Sequence, residues 1–361
     1  MYTSHELARI AADAARQVGP YLIEAFSRPR TVELKADFHD VVTVHDKESQ
    51  RRIADFLFAE TPESFIVGEE SSRMLTCDGR PGTPGEGDVV WYVDPIDGTS
   101  NFASGFDHWC VSIAAARGGA LTAGVVYQPT TNTLYLADDA GALRNGQPMR
   151  VLDAPVEDGM IATEFPSARV PDPEEAARGF TRVVAAARSV RRTGSTALAL
   201  AEVAAGHFLA AFNVGTHPWD VAAGALLVER AGGRYLGFDD ASVYRRDPQN
   251  APNFVATGSR QAALLALSAV GRADAMRDAL SVYRSLVARG AAPALTWYGG
   301  DGRIELSGRV AANHLAKICG YLLDEIWLTP GQALHLDLPA HWKQVLWGLG
   351  GLLAGATGTC R

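Results

Sequence analysis

The sequence predicts a layered α/β or α+β domain over residues 1–268, followed by a shorter α/β extension over residues 272–361. Three observations carry this reading. Residues 4–27 repeat apolar side chains at helical spacing. Apolar runs of strand length recur from residue 64 onward and mix with helices without strict alternation. The character of the chain changes after Gly271.

The elements follow in order. Leu7, Ile10, Ala11, Ala14, Val18, Leu22 and Phe26 form one helical stripe, which Pro29 ends. A second helix is expected from Lys47 to Glu60, with Ile53, Phe56 and Leu57 facing the core and Pro62 behind it. Ser64–Val67 reads as a short buried strand leading into Gly68-Glu69-Glu70-Ser71, and 76–87 as a Gly- and Pro-rich loop. Val89–Val93 is a strand that delivers Asp94-Pro95-Ile96-Asp97-Gly98-Thr99. Val111–Ala116, Ala123–Tyr127 and Thr133–Ala137 are further strands separated by turns such as Gly118-Gly119. Helices are expected at Ser195–Ala205 and Val221–Ala231, the second closed by Gly232-Gly233. In the extension, a helix over 273–288 precedes Thr296-Trp297-Tyr298, a turn at Gly299-Gly300, Ile304-Glu305-Leu306 and a helix over 307–325. Ala333–Leu338 reads as a strand without an evident partner.

Composition narrows the function classes. The 361 residues carry a net charge of −8, which is −10 before residue 272 and +2 after it. With a pI near 5.6, no basic patch for nucleic acid is expected. Cys77, Cys110, Cys319 and Cys360 form no C-x-x-C pair and no zinc spacing, which suits a reducing cytoplasm. His5, Glu6, Arg9, Asp13 and Arg16 break any secretory pattern at the N-terminus. Val345–Gly358 is too short and too glycine-rich for a membrane span.

The chemistry concentrates at strand ends. In Asp94-Pro95-Ile96-Asp97-Gly98-Thr99 two carboxylates flank a turn in which proline restricts φ and Gly98 permits a tight path. Such a turn aims both carboxylates and the Ile96 carbonyl at one point, and hard divalent cations take oxygen ligands. The same residues also compose an ordinary surface turn. Glu69-Glu70 again follows an apolar strand. Asp46 follows Val41-Val42-Thr43-Val44 and either joins the same site or caps the helix at Lys47. Asp220 opens an Ala-rich helix and is either a cap or a ligand. Four such segments can converge as loops on one edge of a sheet.

Trp91-x-x-Asp94-Pro95-Ile96-Asp97-Gly98-Thr99-x-Asn101-Phe102, with Trp219-Asp220-Val221-Ala222-Ala223-Gly224 downstream, resembles the two defining motifs of the inositol monophosphatase family. Gly68-Glu69-Glu70-Ser71 and Asp40-x-Val42-Thr43-x-x-Asp46 match in the same order. The resemblance implies a layered αβαβα sandwich and Mg²⁺-dependent hydrolysis of a small polyol or sugar phosphate monoester, with inositol 1-phosphate first. It implies that Glu69, Asp94 and the Ile96 carbonyl bind one Mg²⁺, that Asp94, Asp97 and Asp220 bind a second, and that a third shares Glu69. Thr99 and Asp46 would orient and deprotonate the attacking water, and the Gly98 and Thr99 amides would hold the phosphate. Lys35 resembles a family lysine near the site and reads equally as a surface lysine. Relatives are commonly homodimers.

The substrate side is less defined. Ser195 and Thr196 fall where relatives contact substrate hydroxyls. Asn213 departs from the acid that inositol-specific relatives carry, and the same departure tells against histidinol phosphate. Arg191 and Arg192 suit the second phosphate of fructose 1,6-bisphosphate or are surface charges. His217 reads as structural, since Mg²⁺ prefers oxygen. Thr296-Trp297-Tyr298, Ile304-Glu305-Leu306-Ser307, Asn313-His314-Leu315-Ala316-Lys317 and Leu336-Asp337-Leu338-Pro339 resemble the N-terminal edge of an adenylate-forming, acyl-CoA ligase type domain. The catalytic parts of that fold would lie beyond Arg361, so ligation is not expected, and the extension is expected to pack loosely or serve a partner. The alternative of another class is a non-catalytic binding protein on the same fold.

Overall fold

The computed structural model describes residues 2–28, 32–34, 41–71, 73–167, 170, 172–239, 243–244, 247–270, 274–299, 302–326, 328, 332–338 and 341–360. Lys35 and Asp40 lie outside these. The chain divides into two compact units, Met1–Asp239 with Tyr244–Ala269, and Asp240–Val243 with Val270–Arg361.

Through residue 269 the elements are α1 (Ser4–Phe26), β1 (Val32–Leu34), β2 (Val41–Thr43), α2 (Val44–Glu60), β3 (Phe65–Gly68), β4 (Met74–Leu75), β5 (Val90–Asp97), α3 (Thr99–Ser104), β6 (Cys110–Arg117), β7 (Ala120–Gln128), β8 (Thr133–Asp138), β9 (Gly141–Arg144), β10 (Gln147–Pro148), β11 (Met160–Ala162), α4 (Pro173–Ala186), β12 (Ser189–Arg191), α5 (Thr196–Ala204), β13 (Ala210–Val214), α6 (Pro218–Arg230), β14 (Arg234–Phe238), β15 (Val243–Tyr244), β16 (Asn253–Thr257) and α7 (Arg260–Ala269).

An eight-stranded sheet runs β10-β9-β8-β7-β6-β5-β3-β4 and a six-stranded sheet runs β12-β11-β13-β16-β14-β15. Helices α1 and α2 cover the first sheet on one side. Helices α5 and α6 lie between the sheets, and α4 and α7 back the second. This is the αβαβα layering. Both faces of the large sheet are covered, so its central strands read as unbroken apolar runs. Along β5, Trp91 and Val93 join the core under α1 and α2, while Val90 and Tyr92 join the core around α5 and α6. The sandwiched helices approach closely because they are built of small residues. A Cβ on Gly224 of α6 would sit 2.4 Å from the Leu200 side chain of α5.

Helix α1 starts on a capping box in which the Thr3 hydroxyl accepts from the Glu6 N–H at 3.2 Å and Glu6 accepts from the Thr3 N–H at 2.7 Å. Helix α2 starts at Val44, three residues before the expected Lys47. Strand β2 runs straight into it, so Asp46 sits in the first helical turn and is not the cap of a helix beginning at Lys47. Its buried stripe, Asp46, Ser49, Ile53 and Leu57, places a carboxylate where a leucine would be expected.

The second unit contains α8 (Asp274–Arg289), β17 (Pro293–Gly299), β18 (Gly302–Ser307), α9 (Gly308–Gly320), a single π-helical turn (Tyr321–Glu325), β19 (Ala333–Leu336), α10 (Trp342–Leu353) and β20 (Thr357–Cys360). Strands β17 and β18 form an antiparallel hairpin, and β19 pairs in parallel with β20. The partner of β19 was not visible in sequence because Thr357-Gly358-Thr359-Cys360 carries no strand pattern. Helix α10 is the crossover between the two parallel strands. Ala311, Leu315 and Leu346 form one buried cluster of this unit, and Leu322, Leu328, Ala354 and Ala356 another.

Candidate active site

The site is assembled at the end of β5. Strands β5 and β6 pair with Asp94 opposite Ser112 and Asp97 opposite Cys110, so three steps on β5 match two on β6. This is a β-bulge. In a regular strand, residues three apart point to opposite faces. The extra residue restores the parity, and both carboxylates turn toward the layer of α5 and α6. Without it Asp97 would follow Trp91 and Val93 to the other side of the sheet. Ile96 takes that other side instead and is fully buried.

Asp94 is 3% exposed, and its Oδ1 accepts the Ile96 N–H at 3.0 Å, closing the turn. Asp97 lies against the N-terminus of α5. It accepts from the Ser195 hydroxyl, from the Ala197 N–H at 2.8 Å and from the Thr196 N–H at 3.3 Å, with the Cys110 thiol 3.7 Å away. Positive backbone charge at a helix start suits that carboxylate. Gly98 follows in the left-handed region at φ +97°, where a Cβ would lie 3.2 Å from the Gly194 and His108 carbonyls. Only glycine fits there. Thr99 opens α3, and its hydroxyl lies 3.1 Å from Asp46 Oδ1 and 3.0 Å from the Ile96 carbonyl. One proton serves one of these acceptors at a time.

Glu69 and Glu70 follow β3, which is parallel to β5, and the Glu69 N–H extends that ladder to the Val93 carbonyl at 3.1 Å. Ligand oxygens of Asp46, Glu69 and Glu70 all lie within 4.8 Å of one another. Asp220 occupies the third position of α6 and accepts the His217 N–H at 2.8 Å. It thus takes part in capping, as an acid inside the first turn and not as the cap residue. His217 precedes α6 and stacks on Trp219 at 4.8 Å between ring centres.

The charges of several of these acids act on Asp94. Burial pushes the Asp94 carboxyl well above its ordinary range, and the charges of Glu69, Asp97, Asp220 and Asp46 push it further. Asp97 is pushed up to about 6 by burial, against the hydrogen bonds from Ser195, Ala197, Thr196 and Cys110. Acids from β5, α2, α6 and the end of β3 therefore lie near enough for their charges to act on Asp94, with no cationic side chain among its principal influences, while the group of described acids whose ligand atoms come within 4.8 Å of one another is Asp46, Glu69 and Glu70. The donors are all oxygen, they are anionic, and burial makes their mutual repulsion costly. That set fits a hard divalent cation.

Ser195 is 1% exposed and Asn213 6% exposed. Asn213 Oδ1 accepts the Glu164 N–H at 2.6 Å, and its Nδ2 donates to the Thr196 hydroxyl at 3.2 Å. The amide expected to meet substrate thus ties β13 to the loop after β11 and to the start of α5. Arg192 donates to the Glu164 and Pro166 carbonyls at 3.0 and 3.2 Å, and Arg191 is exposed. Four residues with no role assigned from sequence belong to the assembly. Glu70 lies in the acidic cluster, Gln50 contacts the Glu69-Glu70 turn, and Cys110 backs Asp97. Asn101 Nδ2 joins the His108 and Thr193 carbonyls at 2.7 and 2.9 Å. Glu70 and Asn101 stand inside the quoted motifs, and Gln50 carries the signal of standing one helical turn after Asp46.

Comparison with known proteins agrees with this geometry. The model of the inositol monophosphatase family matches residues 3–273. Nus factor SuhB of Escherichia coli K12 is 38% identical over 247 residues, covering 66% of this chain and 88% of the relative. The solved inositol monophosphatase from Anabaena is 28% identical at TM-score 0.60, covering 74% of this chain and 95% of that one. A solved IMPase/NADP phosphatase complexed with Mg²⁺ and phosphate is 25% identical at TM-score 0.59, covering 71% and 91%. The bulged β5, the acids gathered around it and the motifs that supply them all fall inside the matched segment, and the chain belongs to the inositol monophosphatase family and is a phosphatase.

Proposed function

We propose that the protein hydrolyses the phosphate monoester of a small polyol or sugar, with inositol 1-phosphate as substrate and Mg²⁺ as cofactor. The observation that carries this is the buried, all-oxygen acidic centre with the Thr99–Asp46 pair beside it. The solved relative complexed with Mg²⁺ and phosphate supports the choice of metal. Glu69, Asp94 and the Ile96 carbonyl would hold one ion, Asp94, Asp97 and Asp220 a second, and Glu69 would share a third. Bound there, Mg²⁺ supplies positive charge to offset that of the phosphate and favours ionisation of a water.

The chain supplies the rest. The Thr99 hydroxyl donates to Asp46, which leaves its oxygen lone pairs to accept a proton from the attacking water. As that proton arrives, the original Thr99 proton passes to Asp46. The Gly98 and Thr99 amides are the phosphate donors. Thr196 would meet the substrate hydroxyls, with Ser195 and Asn213 buried behind it, the first holding Asp97 and the second the Thr196 hydroxyl. Engagement of Arg192 by two carbonyls supports a monophosphate over fructose 1,6-bisphosphate.

A second reading, a partner-binding protein on the same fold, has one observation in its favour, that the Escherichia coli relative is named a Nus factor. Inorganic phosphate release from inositol 1-phosphate, fructose 1,6-bisphosphate and histidinol phosphate, with and without Mg²⁺, separates the two. We expect Mg²⁺-dependent release that is fastest with inositol 1-phosphate. No release from any of the three would refute the phosphatase reading in favour of the second.

A further inference from the structure

We propose that Gln50 is a positioning residue of the acidic centre, holding the Glu69-Glu70 turn at the distance from Asp46 that cation binding requires; this rests on the metal-dependent reading above. The turn from Gly68 to Ser71 has three backbone N–H groups after Gly68. The Glu69 N–H reaches the Val93 carbonyl at 3.1 Å, and the Ser71 N–H returns to the Gly68 carbonyl at 3.2 Å. The one between them, on Glu70, donates to Gln50 Oε1 at 2.9 Å, a side chain twenty residues earlier. A part-buried N–H without an acceptor is costly, so this bond decides how the turn lies.

The packing is as specific as the hydrogen bond. A Cβ on Gly68 would fall 2.4 Å from Gln50 Oε1 and 2.5 Å from its Cδ, so the amide rests directly on the glycine backbone. Gln50 stands four residues after Asp46 on α2, which places both on one helical face. Asp46 reaches the end of β5 through Thr99, and Gln50 reaches the end of β3 through Glu70. One rigid helix thereby brackets both acid-bearing strand ends. It sets the spacing that brings Asp46, Glu69 and Glu70 within 4.8 Å of one another. Side chains that orient ligands in this way typically change metal affinity by about 10–100-fold when removed.

The test is calorimetric titration of the full chain with Mg²⁺ in the absence of substrate, alongside thermal unfolding in EDTA. Gln50→Met keeps the volume against Gly68 and removes the acceptor; we expect at least about tenfold weaker Mg²⁺ binding, with a chain that still folds cooperatively in EDTA at a melting temperature lowered by the unpaired Glu70 N–H. Gln50→Glu keeps an acceptor for the Glu70 N–H, and we expect binding within about threefold of the parent or tighter. In turnover assays the Mg²⁺ concentration for half-activation rises in Gln50→Met while kcat at saturating Mg²⁺ is retained. Equal Mg²⁺ affinity in parent and Gln50→Met would overturn the positioning role alone. A parent chain that binds no Mg²⁺ would overturn the metal-dependent reading and this inference with it.

Discussion

Asp94 is the residue on which opposing demands meet. It is buried, it closes its own turn through the Ile96 N–H, and four other acids raise its cost of ionisation. A side chain so placed stabilises the fold only when a cation is present. We expect Asp94→Asn to raise the metal-free melting temperature near neutral pH, since a carboxyl whose ionisation burial and four neighbouring charges disfavour gives way to a neutral amide, while phosphate release falls by about 10²–10³. A lowered metal-free melting temperature in Asp94→Asn would contradict the repulsion described here. The pH dependence follows from the same groups. Burial raises Asp94, and it raises Asp97 to about 6, so the metal-free folded state keeps protons that the unfolded chain has released. Raising pH from about 4 toward neutrality therefore lowers metal-free stability. In the proposed metal-bound state Mg²⁺ would take the place of those protons, so its increment in melting temperature is expected to be larger at about pH 7.5 than at about pH 5. Thr99 carries a separate expectation. Thr99→Val removes the hydroxyl between water and Asp46 and is expected to cut kcat by about 10²–10⁴ with little change in Mg²⁺ affinity. Thr99→Ser is expected to restore most of it.

Among the elements, β5 and the pair α5 and α6 do most to place the site. The bulge in β5 converts an odd spacing of acids into a same-face pair, and α5 presents its first backbone N–H groups to one of them. That presentation needs α5 and α6 to lie close, and Gly224 permits it. Gly224→Ala would gain about 1 kcal/mol of helix propensity at an exposed position. Here the new Cβ meets the Leu200 side chain at 2.4 Å, so overpacking wins. We expect a net loss of roughly 1–2 kcal/mol in denaturant unfolding. Unchanged or increased stability would show that the two helices have room to part.

At the scale of the whole molecule, every described candidate site residue lies in the unit of Met1–Asp239 and Tyr244–Ala269. The other unit has its own small apolar clusters and its own strand pairs. A chain ending after Val270 is accordingly expected to retain phosphate release within about threefold of the full chain, since it keeps the entire centre. Loss of folding on truncation, followed by circular dichroism, would show that the first unit depends on the second.

Much of this was legible in the residues themselves. The stripe of α1, the strand runs ending in acid and the motif around Asp94 and Asp97 are local patterns. Local periodicity and turn chemistry are written residue by residue. Other features depended on pairing across the chain. Whether Asp94 and Asp97 share a face is decided by β6, which alone reveals the bulge. Whether Asp220 is a cap or a neighbour of Asp94 is decided by the layering that brings α6 to the end of β5. The acceptor for the Glu70 N–H, the internal bonds of Asn213 and the partner of β19 are likewise supplied by segments distant in sequence. The sequence by itself determined the family, the acids and the strands that carry them; the tertiary structure alone decided which acids meet, because convergence is a property of register and layer packing that no single segment contains.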